Sequence, residues 1–229
     1  MNNFDWGWMN SDHGLIHKTH IEKETFEDRI YERFFEVEEG DIVLDIGASI
    51  GPFTYSILTK NPKHVFCIEP SETEFKTLVK NTIGYPVTHI LKGISDSDSV
   101  FESDQVYGTI KSLEGISFRK LIEVYGLEKI DFLKTDCEGG EYSIFTENNL
   151  ALILERVKKI SGEWHLGTPE LKSRFRNFRD TFLRQFNNFE VYSIDGVDIK
   201  WNLWNDHFID YYSEIIIYID NRKPNTINF

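Results

Sequence analysis

The stretch IVLDIGASIG, residues 42–51, decides how this chain is read. Ile42-Val43-Leu44 is a continuous apolar run of the kind shown by strands buried on both faces. The run meets an acid, Asp45. Gly47 and Gly51 then bracket Ala48, Ser49 and Ile50 before a helix-like pattern begins. This order predicts a strand over Ile42–Asp45 that ends in a sharp turn and feeds a helix. Gly47 permits the turn without a Cβ penalty, and Gly51 allows close backbone approach at the helix entry. Ligands of open α/β sheets bind outside the carboxyl ends of the strands, so backbone N–H groups of such a turn are expected to face one. The two glycines alone fit a tight connection with no ligand equally well.

The rest of the chain alternates short β-rich runs with amphipathic segments, which predicts an α/β fold with helices on both faces of the sheet. Further strands are expected at Val65–Ile68, Val87–Leu91, Ile130–Lys134, Val157–Gly162, Phe189–Ile194 and Ile215–Ile219. Ser71-Glu72-Thr73-Glu74 reads as a capping box ahead of Phe75, Leu78 and Val79. Phe118, Leu121, Ile122 and Tyr125 recur at helical spacing up to a stop at Gly126. Thr168-Pro169 starts the longest stripe, Leu171, Phe175, Phe178, Phe182 and Phe186, whose opposite face (Lys172, Arg174, Arg176, Arg179, Arg184) reads as solvated. A first helix is expected near Glu22–Phe35, burying Phe26, Ile30 and Phe34. The expected organisation is one unit over 1–229, a helical lead-in at 1–36 followed by an α/β core at 37–229.

Composition narrows the class. The 229 residues include 25 basic and 38 acidic side chains, a net charge of -13, which disfavours nucleic acid as a partner. The two cysteines, Cys67 and Cys137, have no disulfide or zinc spacing. No apolar run is long enough to span a membrane and no signal peptide is evident, so a cytoplasmic protein is expected. His13, His17 and His20 would share a helical face, but no carboxylate or cysteine joins them at ligand spacing, and a mobile polar lead-in is the simpler reading.

Two further features point to a site. Val65–Ile68 is followed by Glu69-Pro70, which puts a carboxylate with two acceptor oxygens where a ribose diol would donate. A dinucleotide fingerprint needs G-x-G-x-x-G, and from Gly47 those positions hold Ser49 and Pro52, so a nicotinamide-dependent oxidoreductase is the weaker alternative. The second feature is IDFLKTDCEGGE, residues 130–141, which gathers Lys134, Asp136, Glu138 and Glu141 beside the Gly139-Gly140 turn. Carboxylates so close repel one another, a cost that stability alone does not explain.

Asp45-x-Gly47-x-Ser49-x-Gly51, Glu69-Pro70, the Asp136-x-Glu138-Gly139-x-Glu141 segment and Glu163-Trp164-His165 together resemble the FkbM-type methyltransferase family, from about Val37 to His165. Ser49 stands where glycine is usual, Cys137 where an aliphatic residue is, and Gly140 where alanine is. The resemblance implies a Rossmann-like class I methyltransferase fold, a seven-stranded, mostly parallel sheet whose last strand is antiparallel. It implies S-adenosylmethionine as methyl donor and a hydroxyl of a sugar, glycoconjugate or small metabolite as acceptor. Asp45, Gly47, Ser49, Gly51, Glu69, Ser95 and Asp136 are then expected to bind the cofactor, with Ser95 or Asp96 near the adenine.

An alcohol is a poor nucleophile until its proton is removed or a cation stabilises the alkoxide. His165 is the expected general base, with Glu163 orienting it and Asp136 and Glu138 binding substrate or assisting. A divalent cation bridging Asp136 and its neighbours is the rival mechanism. Trp6, Trp8, Trp201 and Trp204 are candidates for stacking on an acceptor. A catalytically silent binding module on the same fold is a third reading.

Overall fold

The computed structural model describes residues 4–103 and 111–222. The ends of the expected 1–229 unit lie outside them. The central sheet consists of β1 (Ile42–Ile46), β2 (His64–Ile68), β3 (Val87–Ile90), β7 (Ile130–Thr135), β8 (Val157–His165), β9 (Phe189–Ser193) and β10 (Glu214–Asp220). Its order is β3-β2-β1-β7-β8-β10-β9. The pairs from β3 to β8 are parallel, and β10 is antiparallel to both β8 and β9. The seven strands are those expected. β8 runs three residues past the expected Gly162, so Glu163 and His165 lie on the strand and not beyond it.

Not expected is a small sheet of β4 (Gly93–Ile94), β5 (Val100–Ser103) and β6 (Lys111–Ile116), ordered β4-β6-β5. Its two-residue β4 is too short to leave a periodic signal.

Strand residues alternate between faces. Leu44, Ile46, Leu133, Ile160 and Trp164 pack on one side with the stripe Phe175, Phe178 and Phe182 of α7 (Pro169–Thr181). Val43, Val65, Cys67, Phe132, Ile216 and Tyr218 pack on the other with Ile30, Tyr31, Phe35, Phe53 and Leu78. Asp45, Lys134, Glu163 and His165 belong to this second set of alternate positions, which brings their side chains to one face near the carboxyl ends of the parallel strands.

The caps agree in part. Thr168 accepts a hydrogen bond from the Leu171 N–H and opens α7, and Ser117 does so for Lys120 in α4 (Phe118–Val124). The capping box at Ser71 does not form. Ser71 makes no side-chain cap to α3 (Glu72–Asn81), and Glu74 instead accepts a hydrogen bond from the Ser49 hydroxyl. Phe186 is buried beyond the helix end, after a 3-10 turn. The basic face of α7 is not simply solvated: Arg179 is buried and paired with Asp206, Arg176 with Asp210, and Lys172 donates to the Asp210 carbonyl.

The lead-in departs most from expectation. It has α1 (Leu15–Ile21), a π-helical turn over Glu22–Glu27 and a break at Arg29, whose φ of 48° is left-handed. The break turns Ile30 and Tyr31 into the core and leaves Phe34 exposed. Phe4, Trp6 and Met9 are buried against Ile50, inside the glycine turn, so this end is packed and not a mobile lead-in.

Phe178 stacks on Trp164 at 5.2 Å between ring centroids and so supports β8 between Glu163 and His165. The Phe178→Ala substitution is expected to cost about 3–5 kcal/mol. The measurement is urea unfolding, with a lower midpoint at unchanged slope and a weaker near-ultraviolet dichroism from Trp164.

Candidate active site

The turn after β1 is built around a buried charge pair. Asp45 and Lys134 are direct neighbours in the β1–β7 register. Both are buried, with Lys134 Nζ 3.2 Å from Asp45 Oδ1. The Thr54 hydroxyl donates to the other carboxylate oxygen at 2.7 Å. Lys134 Nζ also donates to the Gly47 carbonyl at 2.8 Å. Burial works against the ammonium, but Asp45 and Asp136 outweigh it and hold its pKa above the usual lysine value. Asp45 therefore acts beneath the turn. It does not reach the cleft, as a cofactor-binding residue would.

At Gly47, φ is 76° and a Cβ would lie 1.7 Å from the Asp136 carbonyl oxygen. No side chain fits, and this contact sets how closely the turn approaches the end of β7. Gly51, also at positive φ, is covered by Leu78 and shapes the helix entry without facing the cleft. Ser49 adopts a left-handed φ of 50°, the reason glycine suits this position. The turn's N–H groups are not free for a ligand: those of Gly47 and Ala48 donate to the Ile68 carbonyl and that of Ser49 to Glu69.

A cleft of about 890 Å³ opens above these strand ends. Gly47, Ser49, Glu69, Ser95, Asp96, Asp136, Glu138, Glu163 and His165 all line it, which joins the two sequence motifs in one space. At one end, Glu69 accepts hydrogen bonds from the N–H groups of Ser49 (2.9 Å) and Ser71 (2.6 Å). Burial and the neighbouring Glu74 push its pKa up to about 8.

The other end is acidic. β8 aims Glu163 and His165 to the same face and turns Trp164 into the core. Glu214, the first residue of β10, pairs in register with His165 and also lines the cleft. His165 Nδ1 is 3.1 Å from Glu141 Oε1, and Nε2 is 3.4 Å from Glu138, 3.6 Å from Glu163 and 3.9 Å from Asp136. Burial alone would lower the imidazole pKa; Glu141, Asp136 and Glu138 override it and hold the ring well above its ordinary value. Burial raises Glu163 well above its usual range, and partial desolvation with Asp136 and Glu141 beside it raises the largely exposed Glu138. Glu141, fully buried, also accepts from the Cys137 N–H at 2.9 Å, so it fixes the loop.

Of the other residues in and beside the cleft, Met9, Ile21, Glu24 and Tyr31 have no sequence signal, whereas the sequence singles out Trp8, His17 and His20 without placing them here. Trp8, Met9, His17, His20, Ile21 and Glu24 form a wall from the N-terminal segment. Tyr31 donates its hydroxyl to Asp136 at 2.8 Å. Of the tryptophans considered for stacking, only Trp8 lines the cleft. Trp6 is buried, Trp201 is exposed, and Trp204 lies under Arg184. His17 and His20 face the cleft without His13, and among the described residues the histidine trio forms no metal-ligating group.

Among the described residues, no helix is long and apolar enough to cross a membrane. No curated protein sequence matches the chain. Solved structures similar to it include fibrillarin of Aeropyrum pernix with natively bound S-adenosyl-L-methionine, at 12% identity and a TM-score of 0.49 over 83% of this chain and 71% of that one. A Streptococcus mutans protein in complex with SAH shares 14% identity at a TM-score of 0.49, over 90% and 97% of the two chains. An rRNA methylase of Streptococcus thermophilus shares 10% at 0.47, over 92% and 97%. These likenesses concern the fold alone. The sequence profile of the methyltransferase FkbM domain matches residues 45–191, more than half of the chain, and the chain belongs to that family.

Proposed function

We propose that this methyltransferase moves the methyl group of S-adenosylmethionine to a hydroxyl of a sugar, glycoconjugate or small metabolite. The observation that carries the reading is one continuous cleft with the Glu69 carboxylate at one end and a ring of carboxylates around His165 at the other. Ser49, Glu69 and Ser95 would hold the adenosyl group, and Asp136 would stand beside the reacting end of the donor. The net charge of -13 and the acidic ring repel phosphates, which argues against a nucleic-acid acceptor. Cys67 and Cys137 are free thiols, in keeping with a reducing cytoplasm.

Methyl transfer from a sulfonium is an in-line displacement in which a neutral thioether leaves. Holding acceptor oxygen and methyl carbon in line supplies much of the acceleration. The acceptor must also lose a proton. A general base must be unprotonated at rest, and the carboxylates around His165 favour its imidazolium form. We therefore assign proton removal to Glu138. It lines the cleft in a left-handed backbone conformation (φ 55°), its side chain is 59% exposed and so within reach of an acceptor, and partial desolvation beside Asp136 and Glu141 holds its pKa above that of an ordinary carboxylate. His165 then orders the carboxylates about itself.

Calorimetry is expected to show binding of S-adenosylhomocysteine and none of NAD; the reverse result removes the reading. With methyl-labelled S-adenosylmethionine and a panel of polyols, glycoconjugates and amines, label is expected in an ether. Label found only in N-methyl products would overturn the choice of acceptor.

Glu69 gives the binding reaction a pH dependence. A diol donates more strongly to a carboxylate than to a carboxylic acid, so the nucleoside favours ionised Glu69 and lowers its pKa from about 8. Affinity should rise with pH up to about 8 and level off above it. Methylthioadenosine, which carries no amino-acid group, is the probe, and the slope should vanish in Glu69→Gln. Glu138→Gln is expected to lower kcat by about 10²–10⁴ while S-adenosylhomocysteine affinity holds.

A further inference from the structure

We propose that Asp136, Glu163 and His165 form a divalent-cation site at the acidic end of the cleft. One ligand atom from each residue lies within 4.8 Å of the others. Nε2 of His165 lies 3.6 Å from Glu163 Oε1 and 3.9 Å from Asp136 Oδ1. Ligand atoms bound at about 2.1 Å with tetrahedral or octahedral angles sit about 3.0–3.4 Å apart, so small side-chain movements complete the set.

Each of the three is already oriented by a partner or left open toward the cleft. Nδ1 of His165 faces Glu141 Oε1 at 3.1 Å, and Glu141 is fully buried. A bound cation displaces the Nε2 proton of the imidazolium; with the hydrogen of Nδ1 kept toward Glu141, Nε2 then presents its lone pair to the cation, the usual relation of a carboxylate behind a metal-bound histidine. Tyr31 donates to Oδ2 of Asp136, leaving Oδ1 turned toward Nε2. The Glu163 side chain is only 10% exposed and opens on the cleft. Among the described residues no hydrogen bond reaches it and its nearest cationic neighbour is His165 Nε2 at 3.6 Å, so its oxygens are open to a cation entering from the cleft. Lys134 does not serve, since its ammonium is engaged by Asp45 and the Gly47 carbonyl.

Two carboxylates and one imidazole suit manganese or magnesium better than a soft ion. Three protein ligands leave positions open toward the cleft, which fits an acceptor carrying two adjacent oxygens, as in a vicinal diol. The bound cation supplies charge stabilisation for the forming alkoxide. This inference rests on the hydroxyl-methylation reading for the acceptor and on the cleft geometry alone for the cation.

The test is a manganese titration of the whole chain without cofactor, followed by electron paramagnetic resonance and calorimetry. One saturable site is expected, with modulation from an imidazole nitrogen that disappears in His165→Asn. Glu163→Gln and His165→Asn should each weaken manganese by about tenfold or more. Glu72→Gln, on the exposed side of α3, should leave binding as it is. Circular dichroism and S-adenosylhomocysteine binding report that each variant is folded. If the wild-type chain binds S-adenosylhomocysteine but shows no saturable manganese below millimolar concentration, the cation site is wrong. Manganese binding unchanged in both folded variants also overturns it. Failure of S-adenosylhomocysteine to bind, with manganese still held at one site, removes the methyltransferase reading and leaves the cation site standing.

Discussion

The buried ion pair between Lys134 and Asp45 is the constraint on which the cleft depends. An ammonium or a carboxylate alone at that depth would be expensive, so each requires the other. Their pairing fixes β1 against β7 in register, and the remaining donor of Lys134 ties down the Gly47 carbonyl. The turn then lies against the Asp136 carbonyl with no room for a Cβ. From that follow the left-handed Ser49, its N–H on Glu69, and the position of the Glu69 carboxylate in the cleft. Residues that seem to belong to two separate motifs are thus one mechanical unit.

The two ends of the cleft solve opposite electrostatic problems. Glu69 is kept from ionising easily by burial and Glu74, and two backbone donors partly offset this. Around His165, negative charge accumulates and the imidazole answers most of it, with Lys134 3.8 Å from Asp136 and with Glu24 and Glu214 adding to the same acidic field. The sulfonium of the methyl donor is itself a cation, so an acidic surface favours the charged donor over its neutral product.

Much of this was legible from residue order. Asp45, Gly47, Glu69 and Asp136 stand at strand ends, where apolar runs stop abruptly, and such boundaries are visible in a sequence. The Phe175–Phe186 stripe announced itself through its period. The N-terminal wall was legible only as isolated residues: Trp8 sits on a 3-10 turn and His17, His20 and Glu24 on a broken helix with no sustained period, and their common destination is set by the tertiary fold. The capping box failed for a related reason. Glu74 had the spacing of a cap, but the Ser49 hydroxyl competes for it across the chain. Tyr31 became a partner of Asp136 through a contact spanning more than a hundred residues, which no local pattern encodes.

The reversed direction of β10 has a consequence for how such a scaffold diversifies. A parallel strand offers its last residue to the cleft, but β10 offers its first, Glu214, opposite His165. The segment between β9 and β10, residues 194–213, therefore delivers chain directly to the acidic end, while the end we assign to the nucleoside is framed by β1, β2 and the turns that follow them. Insertions or deletions in that connection can remodel what the enzyme accepts and leave untouched what it consumes as donor. Selection can thus vary one specificity at a time, provided the pairing of Glu214 with His165 keeps its register, since a slip of one residue would point every side chain of β10 the wrong way.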